Sequence, residues 1–181
     1  MRFNIPLRSA AAILLCCSLA SCSAQGQTRY AFEDEADKGP WQEAEVQLPA
    51  LPDPANLLKL QVEAAATHRF AVDSKSITIG SDGVVRYTIV GTSPAGATTI
   101  SHEGIRCAAF EAKVYAYGHK DGTWAPARRK NWERIVRGAR NGYQDTLALD
   151  FFCEGLVQVG TVPEIVKRIR ENQVLNPRIQ Y

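Results

Sequence analysis

Histidine and long apolar runs are scarce in this 181-residue chain, and each scarcity excludes a kind of chemistry. The three histidines, His68, His102 and His119, lack the H-x-x-x-H spacing that sets two on one helical face for zinc. There is no G-x-S-x-G, no S-x-x-K and no glycine-rich phosphate loop, so the common serine nucleophiles and nucleotide cradles are missing. The apolar stretch Ala10–Ala20, broken only by Ser18, runs 11 residues. A membrane-spanning helix needs roughly 20, so this segment is too short to span. The body carries no repeat and no low-complexity run.

What is present begins with a leader. Met1–Arg8 holds two arginines and no acid, as the n-region of a signal peptide does. The apolar stretch then closes on Leu19-Ala20-Ser21-Cys22, which resembles a bacterial lipobox. That pattern wants a small residue before its cysteine. Cys16 follows Leu15 and Cys17 follows Cys16, so only Cys22 fits. The resemblance implies a diacylglycerol thioether and an N-acyl chain on Cys22, and two or more chains meet the condition for stable anchoring. Ser23, where an aspartate would retain the protein at the inner membrane, implies the outer membrane, with the body facing the periplasm. The rival readings are ordinary secretion, with cleavage after Ala24, and a cytoplasmic chain with an apolar start.

Processing at Cys22 changes the arithmetic. Of 21 basic residues, Arg2 and Arg8 leave with the leader, so 19 remain against 19 acids and the formal charge falls to zero. A globally basic nucleic-acid binder is disfavoured. Two cysteines leave, a third is acylated, and Cys107 and Cys153 remain as a pair. In an oxidising compartment such a pair reads as a disulfide, and the competing reading is a Cys107 nucleophile near His102 or His119. The bridge closes a loop of 47 residues, from 107 to 153 inclusive. The chain-entropy estimate for that length is roughly 4 kcal/mol.

The expected organisation is a leader over 1–21, an acidic and proline-containing tether over 22–55, and one domain over 56–181. Within the tether, Trp41 is expected to dock on the body. Leu58, Leu60 and Val62 alternate with Lys59 and Gln61, the period of a half-buried strand, and Phe70 and Val72 alternate likewise. Ser76–Ile79 and Val84–Val90 flank Gly80-Ser81-Asp82-Gly83, a hairpin signal. Thr98–Ser101 and Phe110–Tyr117 follow, and Lys120-Asp121-Gly122 turns the chain toward Trp124. Two helices are expected after this antiparallel meander. One is capped by Asn131, carries Trp132, Ile135, Val136 and Ala139 on one face, and stops at Asn141-Gly142. The other starts at the capping box Thr161–Glu164. Leu147–Phe152 fits a strand or a helix. The fold class is α+β.

Several stretches together resemble the cryptic neisserial protein-like family of bacterial lipoproteins. They are Phe70–Asp73, Gly80–Tyr87, Glu103–Cys107, the Trp124 that follows Asp121-Gly122, and Cys153. The likeness covers roughly Trp41 to Arg170. It implies an envelope lipoprotein and carries over no reaction, cofactor or catalytic residue.

Four features compete as sites. His102, Glu103 and His119 on adjacent strands would make a metal-assisted hydrolase, against a reading as surface and turn histidines. Asp73-Ser74-Lys75-Ser76 sets hydroxyls near a lysine, in a composition that favours a loop. Arg86, Glu103 and Arg106 offer guanidinium forks for a carboxylate or other anion, or else an internal Arg–Glu brace. Arg128, Arg129 and Lys130, with Arg134, Arg137 and Arg140, form a basic cluster opposed by Glu133 alone. It suits lipid phosphates, an acidic partner or the chain's own acidic tail. The expectation is a non-enzymatic module that needs no cofactor and binds an envelope protein or an anionic envelope component. Arg86, Glu103, Arg106, Arg134 and Arg137 are its contact candidates.

Overall fold

Apolar residues at alternate positions build a sheet with both faces covered. In the computed structural model, which describes residues 39–62, 67–139 and 142–175, the strands are β1 (Leu57–Leu60), β2 (Arg69–Asp73), β3 (Thr78–Ile79), β4 (Val84–Thr92), β5 (Thr98–Arg106), β6 (Glu111–Gly118), β7 (Trp124–Pro126) and β8 (Glu133–Arg134). Their order is β1-β2-β4-β5-β6-β7, with β3 also on β4 and β8 also on β6, and every pairing is antiparallel. This is the expected meander. Gly83 takes φ +75° in the β3–β4 turn, the left-handed backbone that glycine adopts without strain.

The central strand β4 is buried without alternation from Val84 to Ile89, because each face has its own cover. Val85, Tyr87 and Ile89 face the helical layer and join the apolar core with Phe151, Phe152, Ile165 and Ile169. The Tyr87 and Phe152 rings lie 5.5 Å apart. Val84, Arg86 and Thr88 face the opposite way, toward the extended segment that begins at Pro40. That segment, though it falls in the expected tether, lies on the sheet as a strap. Trp41 Nε1 donates to the Asp82 carbonyl (2.9 Å), and Trp124 Nε1 donates to the Pro49 carbonyl (2.8 Å).

The helical layer consists of α1 (Tyr143–Thr146), which continues as a π-helical turn over Leu147–Phe152, and α2 (Val162–Glu171). Leu147–Phe152 is therefore helical, and Cys153 opens a short hairpin of β9 (Cys153–Glu154) and β10 (Val157–Gln158). Cys107 and Cys153 form the disulfide. The capping box holds: the Glu164 carboxylate accepts the Thr161 backbone N–H at 2.7 Å.

The helix expected from Asn131 to Ala139 is not formed. The chain there is extended, and Glu133 and Arg134 pair with Ala112 and Glu111. The reason is that its two anchors serve opposite sides of the sheet. Trp132 packs with Trp41 on the strap side, whereas Ile135 is buried in the core. One helical face cannot reach both; a strand passing the sheet edge can. The leader, Cys22, Arg140 and Asn141 lie outside the described residues.

Candidate functional site

The β3–β4 hairpin sets up the first polar cluster. Asp82 accepts four hydrogen bonds: Oδ1 from Val84 N (3.2 Å) and Arg86 Nη1 (3.1 Å), Oδ2 from Ala44 N (2.8 Å) and Arg86 Nη2 (2.6 Å). Burial alone would raise the Asp82 pKa. The Arg86 hydrogen bonds, the two backbone donors and the Arg86 charge outweigh it and hold the carboxyl at about 2. Arg86 also donates to the Ala44 carbonyl at 3.3 Å, so the hairpin grips the strap backbone from both sides. A Cβ on Gly80 would run into the Asp82–Arg86 pair, which is why the turn opens with glycine.

One strand along, His102 shares this face. It is 2% exposed, its Nδ1 lies 3.1 Å from Thr88 Oγ1, and it packs between Tyr115 and Trp124. Burial, and then the nearby Arg86 charge, push its pKa down to about 4, so the ring is neutral at pH 7. Arg106 completes the face. Its guanidinium lies 4.1 Å from the Trp41 ring centre and 5.6 Å from that of Trp132, and its Nη2 donates to Glu111 at 2.6 Å. Lys113 reaches strap residue Glu43 at 2.7 Å.

Glu103 points to the other face, directly across from Tyr87. It is 1% exposed and accepts from four neutral donors. Ser101 Oγ (2.5 Å) and Tyr143 Oη (2.9 Å) serve Oε1; Gln144 Nε2 (2.8 Å) and Tyr87 Oη (3.2 Å) serve Oε2. Burial, and then the charge of Glu103, raise the pKa of Tyr87 and Tyr143, so both phenols stay protonated as donors. A buried carboxylate without such donors is costly. Here the arrangement fastens α1 to β4 and β5 from within.

Sequence reasoning grouped Arg86, Glu103 and Arg106; the sheet separates them. Arg86 pairs with Asp82 and Arg106 with Glu111, both on elements flanking the strap, while Glu103 faces the helices. His119 is exposed in the β6–β7 turn, away from the buried His102. Among the described residues no group of three or more His, Cys, Asp or Glu side chains is placed to hold a metal. His68 stacks on Phe70 with ring centres 6.2 Å apart. Asp73–Ser76 is a turn: Asp73 caps Lys75 N, and Ser76 Oγ accepts from Thr88 N at 2.7 Å.

What the sequence missed is a groove. β7 and β8 pair with the two ends of β6 and leave Lys113 and Val114 between them; Ala127 N–H closes onto the Tyr115 carbonyl at 2.8 Å before the loop 128–132 leads to β8. Beneath that loop lies a space of about 500 Å³ with Ala112, Val114 and Ala125 in its lining and Arg128 and Arg129 at its rim. Gln144, held by Glu103, forms part of the wall. Arg128 and Arg129 are exposed, and Glu133, 3.3 Å from Arg129, is the acid in the lining. Small side chains on a β edge strand followed by arginines are the signal that marks it. Such a groove accepts an apolar body carrying an anionic group. Arg134 and Arg137 are exposed on the far side of Trp132, and the Arg137 guanidinium lies 4.9 Å from the Phe110 ring centre.

The model of the CNP1-like family matches residues 36–170, most of the chain. That span holds the strap, the whole sheet and nearly all of α2. No curated protein and no solved structure matches.

Proposed function

The chain belongs to the CNP1-like family, and we propose that it is a lipoprotein acylated at Cys22, anchored in the outer membrane and facing the periplasm. In this reading it is a binding or accessory module of the envelope with no catalysis of its own. One observation carries the binding role. The charges of Arg86, Asp82 and Glu103 are engaged within the fold, whereas Arg128 stands exposed over an apolar groove beside the exposed Arg129, which reaches Glu133 at 3.3 Å. The ligand class that fits is an anionic envelope component, or the acidic segment of an envelope protein. The alternative, a metal-assisted hydrolase using His102 and His119, draws no support from where these two side chains lie.

A photocrosslinker placed at Tyr117, which lines the groove and is partly exposed, tests this in cells. The expected result is a discrete adduct that disappears in the Arg128→Glu, Arg129→Glu double variant while the melting temperature is kept. Adducts identical in the two proteins would overturn the assignment of the groove.

A further inference from the structure

Three large aliphatic side chains stand in water at one end of the body. Leu156 and Val157, at the β9–β10 hairpin, are 61% and 65% exposed, and Val136 is 68% exposed. Single exposed apolar residues are ordinary. These three are gathered by specific links. Cys153 opens the hairpin and is bonded to Cys107, which directly follows β5. Phe110 N–H donates to the Cys107 carbonyl at 3.1 Å, and Ile135 N–H donates to the Phe110 carbonyl at 3.0 Å, which places Val136 beside that junction. Arg134 and Arg137 are exposed on the same stretch, with Arg137 set over Phe110.

The strap begins at this end too. Trp41, 41% exposed, is stacked on Arg106, the last residue of β5, while Pro49 is fixed by Trp124 toward the opposite strand ends. Pro40, where the body begins, is therefore at the same end as the exposed aliphatic residues and the two arginines. From Cys22 to Pro40 is 18 residues, a reach of at most about 60 Å. Aliphatic side chains, arginines and a tryptophan at one end are the set that enters a bilayer interface: the apolar groups reach the acyl boundary, the guanidiniums meet phosphates, and the indole sits among headgroups.

We infer that the end of the body carrying Val136, Leu156 and Val157, with Arg134 and Arg137, docks on the anionic lipid surface in which the chain is anchored. The inference rests on the anchor at Cys22. It gives Arg134 and Arg137 a role separate from the groove and fixes which end of the sheet faces the bilayer.

The test uses the purified acylated protein on vesicles of phosphatidylcholine alone and on vesicles with added phosphatidylglycerol. Flotation reports the anchor, and hydrogen exchange of residues 134–138 and 153–158 reports docking. The expected result is flotation with both vesicles and a several-fold slowing of exchange in both segments on the anionic ones. That slowing is lost in Leu156→Ser, Val157→Ser and in Arg134→Gln, Arg137→Gln, which still float and melt as the parent does. Failure to float overturns the anchor. Flotation with unchanged exchange on the anionic vesicles overturns the docking alone. Protection that appears only after envelope proteins are added assigns the surface to a protein and also overturns lipid docking.

Discussion

Arg106 sits over the Trp41 ring, guanidinium carbon to ring centre 4.1 Å, and so joins the last residue of β5 to the start of the strap. Around this contact the stretches that carry the family resemblance acquire a common purpose. The run Gly80–Tyr87 holds the strap through Asp82 and Arg86, and Trp124 holds it at Pro49. Residues that suggested a ligand site in the sequence bind a segment of their own chain.

Trp41→Ala is expected to lower stability by about 1–3 kcal/mol, since it removes a stacked guanidinium, an edge contact to Trp132 and the hydrogen bond to Asp82. A double-mutant cycle with Arg106→Ala, read by urea denaturation, should give a coupling on the order of 1 kcal/mol. Additive effects would mean that the pair does not hold the strap.

Acidification should destabilise the domain in two steps. The folded pKa of His102 is lowered to about 4 from 6.5, so the unfolded chain binds the extra proton first. Stability present above pH 6.5 is lost as pH falls toward 4, by about 3 kcal/mol. The folded pKa of Asp82 is about 2 against 3.8, so its contribution is full above pH 3.8 and is lost as pH falls through about 2, by about 1 kcal/mol once solvent screening is counted. Denaturation midpoints across pH 7 to 2 measure both steps. His102→Gln should flatten the first and leave the second.

Glu103→Gln puts an NH2 group where donors converge on both oxygens, so at least one of Ser101, Tyr143, Tyr87 and Gln144 loses its acceptor. The expected cost is about 1–3 kcal/mol. Near-ultraviolet dichroism should change with it, because Tyr87 and Tyr143 are reoriented. An unchanged midpoint would show that the carboxylate does not fasten α1 to the sheet.

Gly104 is required by its neighbours rather than by its backbone angles. A Cβ there would stand 2.6 Å from the Tyr115 hydroxyl and 2.9 Å from Val84 Cγ1. Gly104→Ala should cost about 1–3 kcal/mol. Adding Tyr115→Phe should recover part of that loss, and thermal melts of the four proteins in the cycle measure it.

The sheet was legible because alternation, a four-residue hairpin turn and β-branched runs are local signals that agree with one another. The second helix was legible from its capping box. The segment 131–139 misled because Trp132, Ile135 and Val136 have helical spacing, yet the choice was made by β6, whose edge near Glu111 and Ala112 was open for pairing. The disulfide was legible as the pair left when Cys16, Cys17 and Cys22 are set aside as leader and anchor in an oxidising compartment. The Glu103 cluster was hidden because its donors Tyr143 and Gln144 lie some 40 residues away and reach it only through the fold. The groove was hidden for the same reason: its lining combines β6, the 127–131 loop and α1.

An anchored domain is the claim on which the rest turns, and the mass of the mature N-terminus tests it most directly. Mass spectrometry of protein taken from the native envelope should find Cys22 as the first residue, carrying a diacylglyceryl thioether and an N-acyl chain. A free, unacylated N-terminus at Gln25 would contradict the account.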